Sequence, residues 1–173
     1  SYNKSSKFFE KEGAKVIALP MIELKTNFSR FDDNFLEQIK DSEIISFNSP
    51  KAVNSFFEGL NYIGKDLRVL GNKKIACIGS GTVEALETFY IKPDYVPKEY
   101  SVKTLLSELK EFYGKNRKVL LLSSDIHGRS EKDLSKEYNL QIKIKDIYIN
   151  LEKTYEKELL EKELKDEAYI VFL

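Results

Sequence analysis

Apolar positions along the chain follow two rhythms. Short unbroken runs at 15–19 (KVIAL), 44–47 (IISF), 74–78 (KIACI) and 118–122 (KVLLL) have the length and β-branched content of buried strands. Between them, apolar residues recur at helical spacing. Phe31, Phe35, Leu36 and Ile39 form one such stripe, and Ala52, Val53, Phe56, Phe57 and Leu60 a second. Val83, Leu86 and Phe89 form a third, and Val102, Leu105, Leu106, Leu109 and Tyr113 a fourth. A helix over 5–12 is expected to close at Gly13, which can take a left-handed cap. A further helix is expected to stop at Asn139, and 141–149 reads as one long extended stretch. Tyr155, Leu159, Leu160 and Leu164 mark a charged-faced helix before a last strand at 168–173 (AYIVFL).

Three units repeat one plan: a strand, a small polar turn, a helix. The turns are Asn48-Ser49-Pro50, Gly79-Ser80-Gly81-Thr82, and the loop from Ser123 to Arg129. Pro50 suits a first helical position, where its missing N–H is not needed. Asn48, Ser49 and Ser101 are cap-type residues. Alternating β and α elements predict parallel sheets covered by helices on both faces. In such sheets ligands bind beyond the carboxyl ends of the strands, where these turns fall. An ordinary βα connection without a ligand accounts for each turn equally well.

The polar stretch near Lys25 and the extended run near Ile149 divide the chain unevenly. The expected domains are 1–24, the N-terminal part of a discontinuous first domain; 25–145, an inserted α/β domain; and 146–173, the return to the first domain. The chain opens inside a helical pattern and stops on a strand with no connection after it. From this an excerpt of a longer polypeptide is expected, with the first domain incomplete.

Composition removes several function classes. Among 173 residues, 28 Lys and Arg balance 28 Asp and Glu, so no polyanion-binding surface is expected and nucleic acid is a poor partner. No apolar run approaches the ~20 residues that span a bilayer, so no membrane partner is expected. With one cysteine, Cys77, no internal disulfide can form, which suits a reducing compartment such as the cytoplasm. Cys77 lies within an apolar strand and reads as inert core. Gly79-x-Gly81 has Glu84 where a dinucleotide loop has its third glycine. Asp125 and His127, the single histidine, fall short of the three or four ligands a metal needs, so no metal site is expected.

Three segments together resemble the uroporphyrinogen-III synthase family: FNSPKAVNSF (47–56), KIACIGSGTVEALETFYIKPDYVPKEYSVKTLLSEL (74–109) and VLLLSSDIHGRSEKDL leading into IKIKDIYINLE (119–152). The start, SKFFEKEGAKVIALPMIEL, is similar to the family's first helix and second strand. The resemblance implies two parallel-sheet α/β domains of flavodoxin-like type, joined by a two-stranded linker, with the active site in the cleft between them. It implies an enzyme, a lyase that closes hydroxymethylbilane into uroporphyrinogen III with inversion of ring D, in tetrapyrrole biosynthesis. It implies no metal or organic cofactor, and a monomer acting on a small-molecule substrate, alone or fused to neighbouring tetrapyrrole enzymes. A non-catalytic ligand-binding module of the same fold is the alternative. A receiver-type signalling domain fits less well, because Asp125 alone does not supply the acidic cluster it needs.

That substrate carries eight carboxylates, for which helix N-termini and turn N–H groups are natural partners. The candidate substrate-binding residues are Asn48, Ser49, Pro50, Lys51, Gly79, Ser80, Thr82, Ser123, Ser124, Gly128 and Arg129. Helix capping alone accounts for each hydroxyl, and a solvated surface accounts for Lys51. The catalytic candidate is Tyr148, which matches the family's late aromatic segment. A phenol can donate a hydrogen bond to a departing hydroxyl while neutral near pH 7. Packing on an interdomain strand is the plainer account of it. The sequence departs from the family at Asn48, where threonine is usual, and at Tyr90, where glycine is usual. A tyrosine in a left-handed cap costs roughly 1 kcal/mol. The loop after Leu122 starts with Ser123 and Ser124 where the family often has arginine, so a carboxylate contact falls to Arg129 or is lost.

Overall fold

The computed structural model describes residues 2–124, 130–155 and 161. The candidates Gly128 and Arg129, the Asp125–His127 pair and the run 168–173 lie outside the described residues, as does most of the helix expected around 155–164. The chain divides into two compact units, Ser1–Glu23 with Leu151–Leu173, and Leu24–Asn150.

The first unit holds helix α1 (Tyr2–Lys11). The helix gives way to Gly13, whose φ of +85° is the left-handed conformation expected there. The run 15–19 is not a strand, contrary to its composition. A strand exists only when a neighbour takes up its N–H and C=O groups, and no described strand pairs with this run. Ile17 is left exposed, with Val16 and Leu19 half-buried. Beyond Pro20 the chain does become extended, as strand β1 (Ile22–Thr26).

The second unit is built on strands β2 (Ile44–Phe47), β3 (Lys74–Cys77), β4 (Lys118–Ser123) and β5 (Gln141–Asp146). They form one sheet in the order β3-β2-β4-β5, every pair parallel. The chain enters at the β2 position, adds β3 on one side, then crosses back to β4 on the other. This is a flavodoxin-like order, and its direction reverses between β2 and β4.

Both sheet faces are buried at β2, β3 and β4, whose buried residues fall at odd and even positions alike, whereas β5 is partly exposed. Ile45, Phe47, Ile75, Cys77, Leu120 and Leu122 face one core. It is closed by helices α2 (Asp33–Asp41), α3 (Pro50–Tyr62) and α4 (Ser80–Glu87). Phe35, Phe47 and Phe56 are fully buried there, with Phe56 meeting the other two rings edge to face. Such a side chain contributes up to about 3 kcal/mol by leaving water. Ile44, Ala76, Val119, Leu121 and Ile142 face the second core. Helices α5 (Val102–Tyr113) and α6 (Glu131–Tyr138) close it through Leu105, Leu106, Leu109, Leu134 and Tyr138.

The caps expected at Ser49 and Ser101 are in place, each accepting a backbone N–H of the first turn of α3 and α5. Ser130, which the sequence pattern does not single out, does the same for α6. Asn139 stops α6 at φ +53°, and Tyr90 does occupy the left-handed region at φ +59°. One boundary differs: α4 begins at Ser80, with Gly79 at φ +85° as a cap that has no side chain to offer.

The long run 141–149 is broken. After β5 comes Ile147, then strand β6 (Tyr148–Glu152), which pairs with β1 in a separate two-stranded sheet. The Ile147 N–H donates to the Ser123 carbonyl at 3.1 Å, and its own carbonyl accepts from the Asn27 N–H at 2.9 Å. Its side chain is wholly buried in the first core. Ile147 thus lies between the two sheets, bonded to the end of β4 and to the residue after β1, and the chain changes sheets here.

Candidate active site at the carboxyl edge of the sheet

Two turns follow the carboxyl ends of β2 and β3, and backbone contacts tie them to each other and to the end of β4. The Asn48 N–H reaches the Leu122 carbonyl at 3.3 Å, which ties the first turn to the end of β4. The Ile78 N–H donates to the Phe47 carbonyl at 3.1 Å, which ties the second turn to the first. At Gly81 an added Cβ would stand 3.5 Å from Cγ of Pro50. The starts of α3 and α4 therefore lie side by side, at a spacing that would also admit a Cβ. Ile147 bonds the last residue of β4, so Tyr148 follows directly at the same edge.

Tyr148 is buried, and its hydroxyl lies 3.1 Å from the Ser49 hydroxyl. Ser49 also accepts the Ala52 N–H at 3.1 Å. The two residues singled out most strongly by sequence, 99 positions apart, are therefore hydrogen-bonded. Ser49 is the α3 cap, and the same oxygen meets the phenol. The cap reading of this serine therefore holds, and the capping oxygen stands beside the phenol.

The other candidates divide. Thr82 is buried, and its hydroxyl donates to the Ile78 carbonyl at 2.6 Å, so its proton serves the α4 start. Ser80 is exposed at the head of α4. Ser123 is buried at the end of β4 and Ser124 half-buried beside it. The Asn48 amide oxygen faces the Ser46 hydroxyl at 3.3 Å, while its Nδ2 is buried without a partner among the described residues.

Lys51 is half-buried and has partners. Its ammonium lies 3.4 Å from the Thr26 hydroxyl and 3.8 Å from a Glu58 carboxylate oxygen. Thr26 also touches Ser55 at 2.9 Å and bonds Glu58. A hydroxyl has one proton, and the carboxylate is the stronger acceptor. Thr26 therefore accepts from Lys51 and shares its one proton between Glu58, the stronger acceptor, and Ser55. Lys51, Ser55 and Glu58 follow at helical spacing along one side of α3, a pattern visible in the sequence that points to the cluster. Thr26 could not be placed in it from sequence, because it arrives from β1.

A buried lysine has no counterpart among the sequence candidates. Lys145 is 8% exposed, with its ammonium 3.7 Å from Asp32 and 5.2 Å from the centre of the Phe35 ring. Asp32 caps α2 by accepting the Phe35 N–H at 2.8 Å. That backbone bond, and then the Lys145 charge, hold its carboxyl below the usual range against the opposing effect of partial burial. At the end of β3, burial raises the Cys77 thiol to about 11, which fits its reading as inert core.

A groove of about 430 Å³ lies at the opposite, amino edge of the sheet, lined in part by Lys73, Lys74 and Arg117. Its cations are already committed. Arg117 pairs with Glu43 at 2.7 Å and Lys74 with Asp94 at 2.7 Å. Lys73 donates to the carbonyls of Lys40 and Ser42. The carboxyl edge is the better candidate, because a hydroxyl donor and its partner meet there at the reversal of strand order.

The family model described as uroporphyrinogen-III synthase HemD matches residues 3–173. The chain belongs to the uroporphyrinogen-III synthase family. It is 30% identical over 105 residues to the porphyrin biosynthesis protein HemD of Ruminiclostridium josui, a match over 61% of this chain. The chain spans 21% of that relative's length and 59% of a second curated relative, from Methanocaldococcus jannaschii. Among solved structures it is similar to a mutant uroporphyrinogen III synthase of Thermus thermophilus (TM-score 0.60, 15% identity, 86% of this chain and 58% of that one). It is also similar to the uroporphyrinogen-III synthetase of Helicobacter pylori (TM-score 0.54, 17% identity, 83% and 62%). At these identities the likeness is one of fold: an α/β arrangement with a parallel sheet. Among the described residues no helix is long and apolar enough to cross a membrane.

Proposed function

We propose that the full-length protein is a uroporphyrinogen-III synthase, a cyclising lyase that converts hydroxymethylbilane to uroporphyrinogen III. Family membership supports the reaction class. The observation that carries the assignment to residues is the Tyr148–Ser49 hydroxyl pair at the carboxyl edge of the sheet. On this reading the unit Leu24–Asn150 is the family's second domain, and Ser1–Glu23 with Leu151–Leu173 belong to its discontinuous first domain.

The chemistry asks little of the protein beyond position and one proton donor. Pyrrole electrons expel the hydroxyl of the hydroxymethyl group and give an azafulvene. Attack at the substituted position of ring D gives a spiro intermediate, and its rearrangement inverts that ring. Tyr148 is the donor to the departing hydroxyl, the role of a general acid. The turns at Asn48–Lys51 and at Gly79–Ser80, with Ser123 and Ser124, hold carboxylates of the substrate, and Gly128 and Arg129, outside the described residues, are further candidates by sequence. The enzyme acts in the cytoplasm on a free small molecule.

The test is the isomer produced. Hydroxymethylbilane generated in situ closes spontaneously to the type I product. Addition of the full-length protein is expected to shift the product to type III. A type III to type I ratio no higher than in the protein-free control removes the activity and leaves a non-catalytic binder.

A further inference from the structure

The Ser49 hydroxyl has a definite proton balance. Its oxygen accepts the Ala52 N–H at 3.1 Å, which takes up one lone pair. Its single proton remains to be placed, and the neighbouring polar atom is the Tyr148 oxygen, also at 3.1 Å. If Tyr148 were instead the donor to Ser49, its proton would point away from any substrate and Ser49 would accept twice. If Ser49 donates, the phenol proton is free to point outward. The Ala52 N–H further favours that direction, because a hydroxyl that accepts a hydrogen bond becomes a better donor.

We propose that Ser49 is a positioning residue for Tyr148: it donates to the phenol oxygen, fixes the phenol proton toward the substrate, and stabilises the phenolate once that proton has left. This role rests on the activity proposed above, and it replaces a carboxylate contact as the main function of Ser49. In the step concerned, the bond from the hydroxymethyl carbon to oxygen breaks and its electron pair leaves with the oxygen. The Tyr148 proton converts that oxygen to water, and the pyrrole nitrogen lone pair fills the carbon. The C–H proton lost when the closing ring regains aromaticity returns to the phenolate, so the enzyme ends as it began. While the phenolate exists, the Ser49 bond is charge-assisted and stronger than in the resting enzyme. An interaction that strengthens toward the transition state raises kcat and leaves KM alone.

The experiment uses the full-length protein with hydroxymethylbilane generated in situ. It compares wild type, Ser49→Ala, Ser49→Gly, Ser49→Thr and Tyr148→Phe, and combines each Ser49 variant with Tyr148→Phe. Glycine is tolerated at a helix N-cap, so Ser49→Gly keeps the comparison valid if the alanine variant does not fold. The expected result is a fall in kcat of about 10- to 100-fold for the alanine and glycine variants, with KM within about twofold. Ser49→Thr, which keeps the hydroxyl, restores most of the rate. In the Tyr148→Phe background the same Ser49 changes have no further effect, because the oxygen they serve is gone. A raised KM with unchanged kcat, or an equal fall with and without Tyr148, overturns the role and returns Ser49 to direct substrate contact. A wild-type control that yields only the type I product is a separate outcome, which overturns the activity and this role with it.

Discussion

Gly59→Ala in α3 sets two effects of opposite sign against each other. In an ordinary helix interior the change stabilises by about 1 kcal/mol, because alanine loses less backbone entropy than glycine. Gly59 is not ordinary. It is buried, and an added Cβ would stand 2.1 Å from Cζ of Phe31, with two more ring carbons within 2.3 Å. No real contact is that short, so the ring must move. Phe31 is 5% exposed and packs edge to face on Phe35, with ring centroids 5.2 Å apart. It has no easy exit. Forcing extra atoms into such a core costs about 1–3 kcal/mol, and full ejection of a phenylalanine costs about 3–5 kcal/mol. After the helix gain is subtracted, a net loss near 2 kcal/mol is expected, about the middle of that combined range. With a urea slope of about 2 kcal/mol/M, the unfolding midpoint should fall by about 1 M. Far-UV circular dichroism is the suitable probe, since the chain has no tryptophan. A midpoint that rises by about 0.5 M, as the helix effect alone predicts, would refute the seating of Phe31 on Gly59. It would also refute the docking of the Phe31 segment against α3.

Tyr148→Phe is expected to lower the rate of type III formation by about 10²- to 10⁴-fold, the usual range for removing a general acid, with the melting temperature nearly unchanged because the ring still fills its place. Unchanged turnover would end the role of Tyr148. Acid should destabilise the second unit through Asp32 and Glu43, whose carboxyls are held low mainly by the backbone N–H groups of Phe35 and Lys118. The native state binds these protons less readily than the unfolded chain, so the stabilisation is full above the ordinary values of 3.8 and 4.5 and is lost as pH falls through the lower native values. Asp32→Asn, which can still cap α2, should reduce that acid-side slope in denaturation curves from about pH 6 to about pH 2, and an unchanged slope would remove Asp32 from the account.

Strands β2, β3 and β4 were legible because they are buried on both faces, so composition alone marks them. Caps were legible for a related reason: Ser49, Ser101 and Asn139 act on backbone within a few residues of themselves. The failures share a cause in pairing. The run 15–19 has strand composition, but no sequence rule supplies the neighbour that would make it one. The stretch 141–149 has strand composition throughout, and it breaks at Ile147 because two different neighbours claim its two ends. At the site, the turn residues could be ranked by their position after strands. The Ser49–Tyr148 contact could not be ranked, since it joins residues 99 positions apart. Lys145 has the pattern of a strand lysine on an exposed face, and only the arrival of Asp32 and Phe35 beside it makes burial tolerable. Gly79 has the look of a phosphate-loop glycine without the rest of the loop. Its actual use is the φ of +85° at the start of α4.

Ile147 has a mechanical consequence. It is held by a bond on its N–H, a bond on its carbonyl and a side chain sunk in the core. A residue pinned in three ways is a fulcrum, and β6 is a lever that starts there. Displacement along a lever grows with distance from its pivot. If β6 tilts by about 15° about Ile147, the Tyr148 Cα, about 3.8 Å away, moves about 1 Å, whereas Glu152, about 17 Å away, moves roughly 4 Å. On the same tilt the start of β6 is displaced about a quarter as far as its end. A proton donor placed one residue from the pivot is disturbed less by such a tilt than one at any later position on the same strand would be.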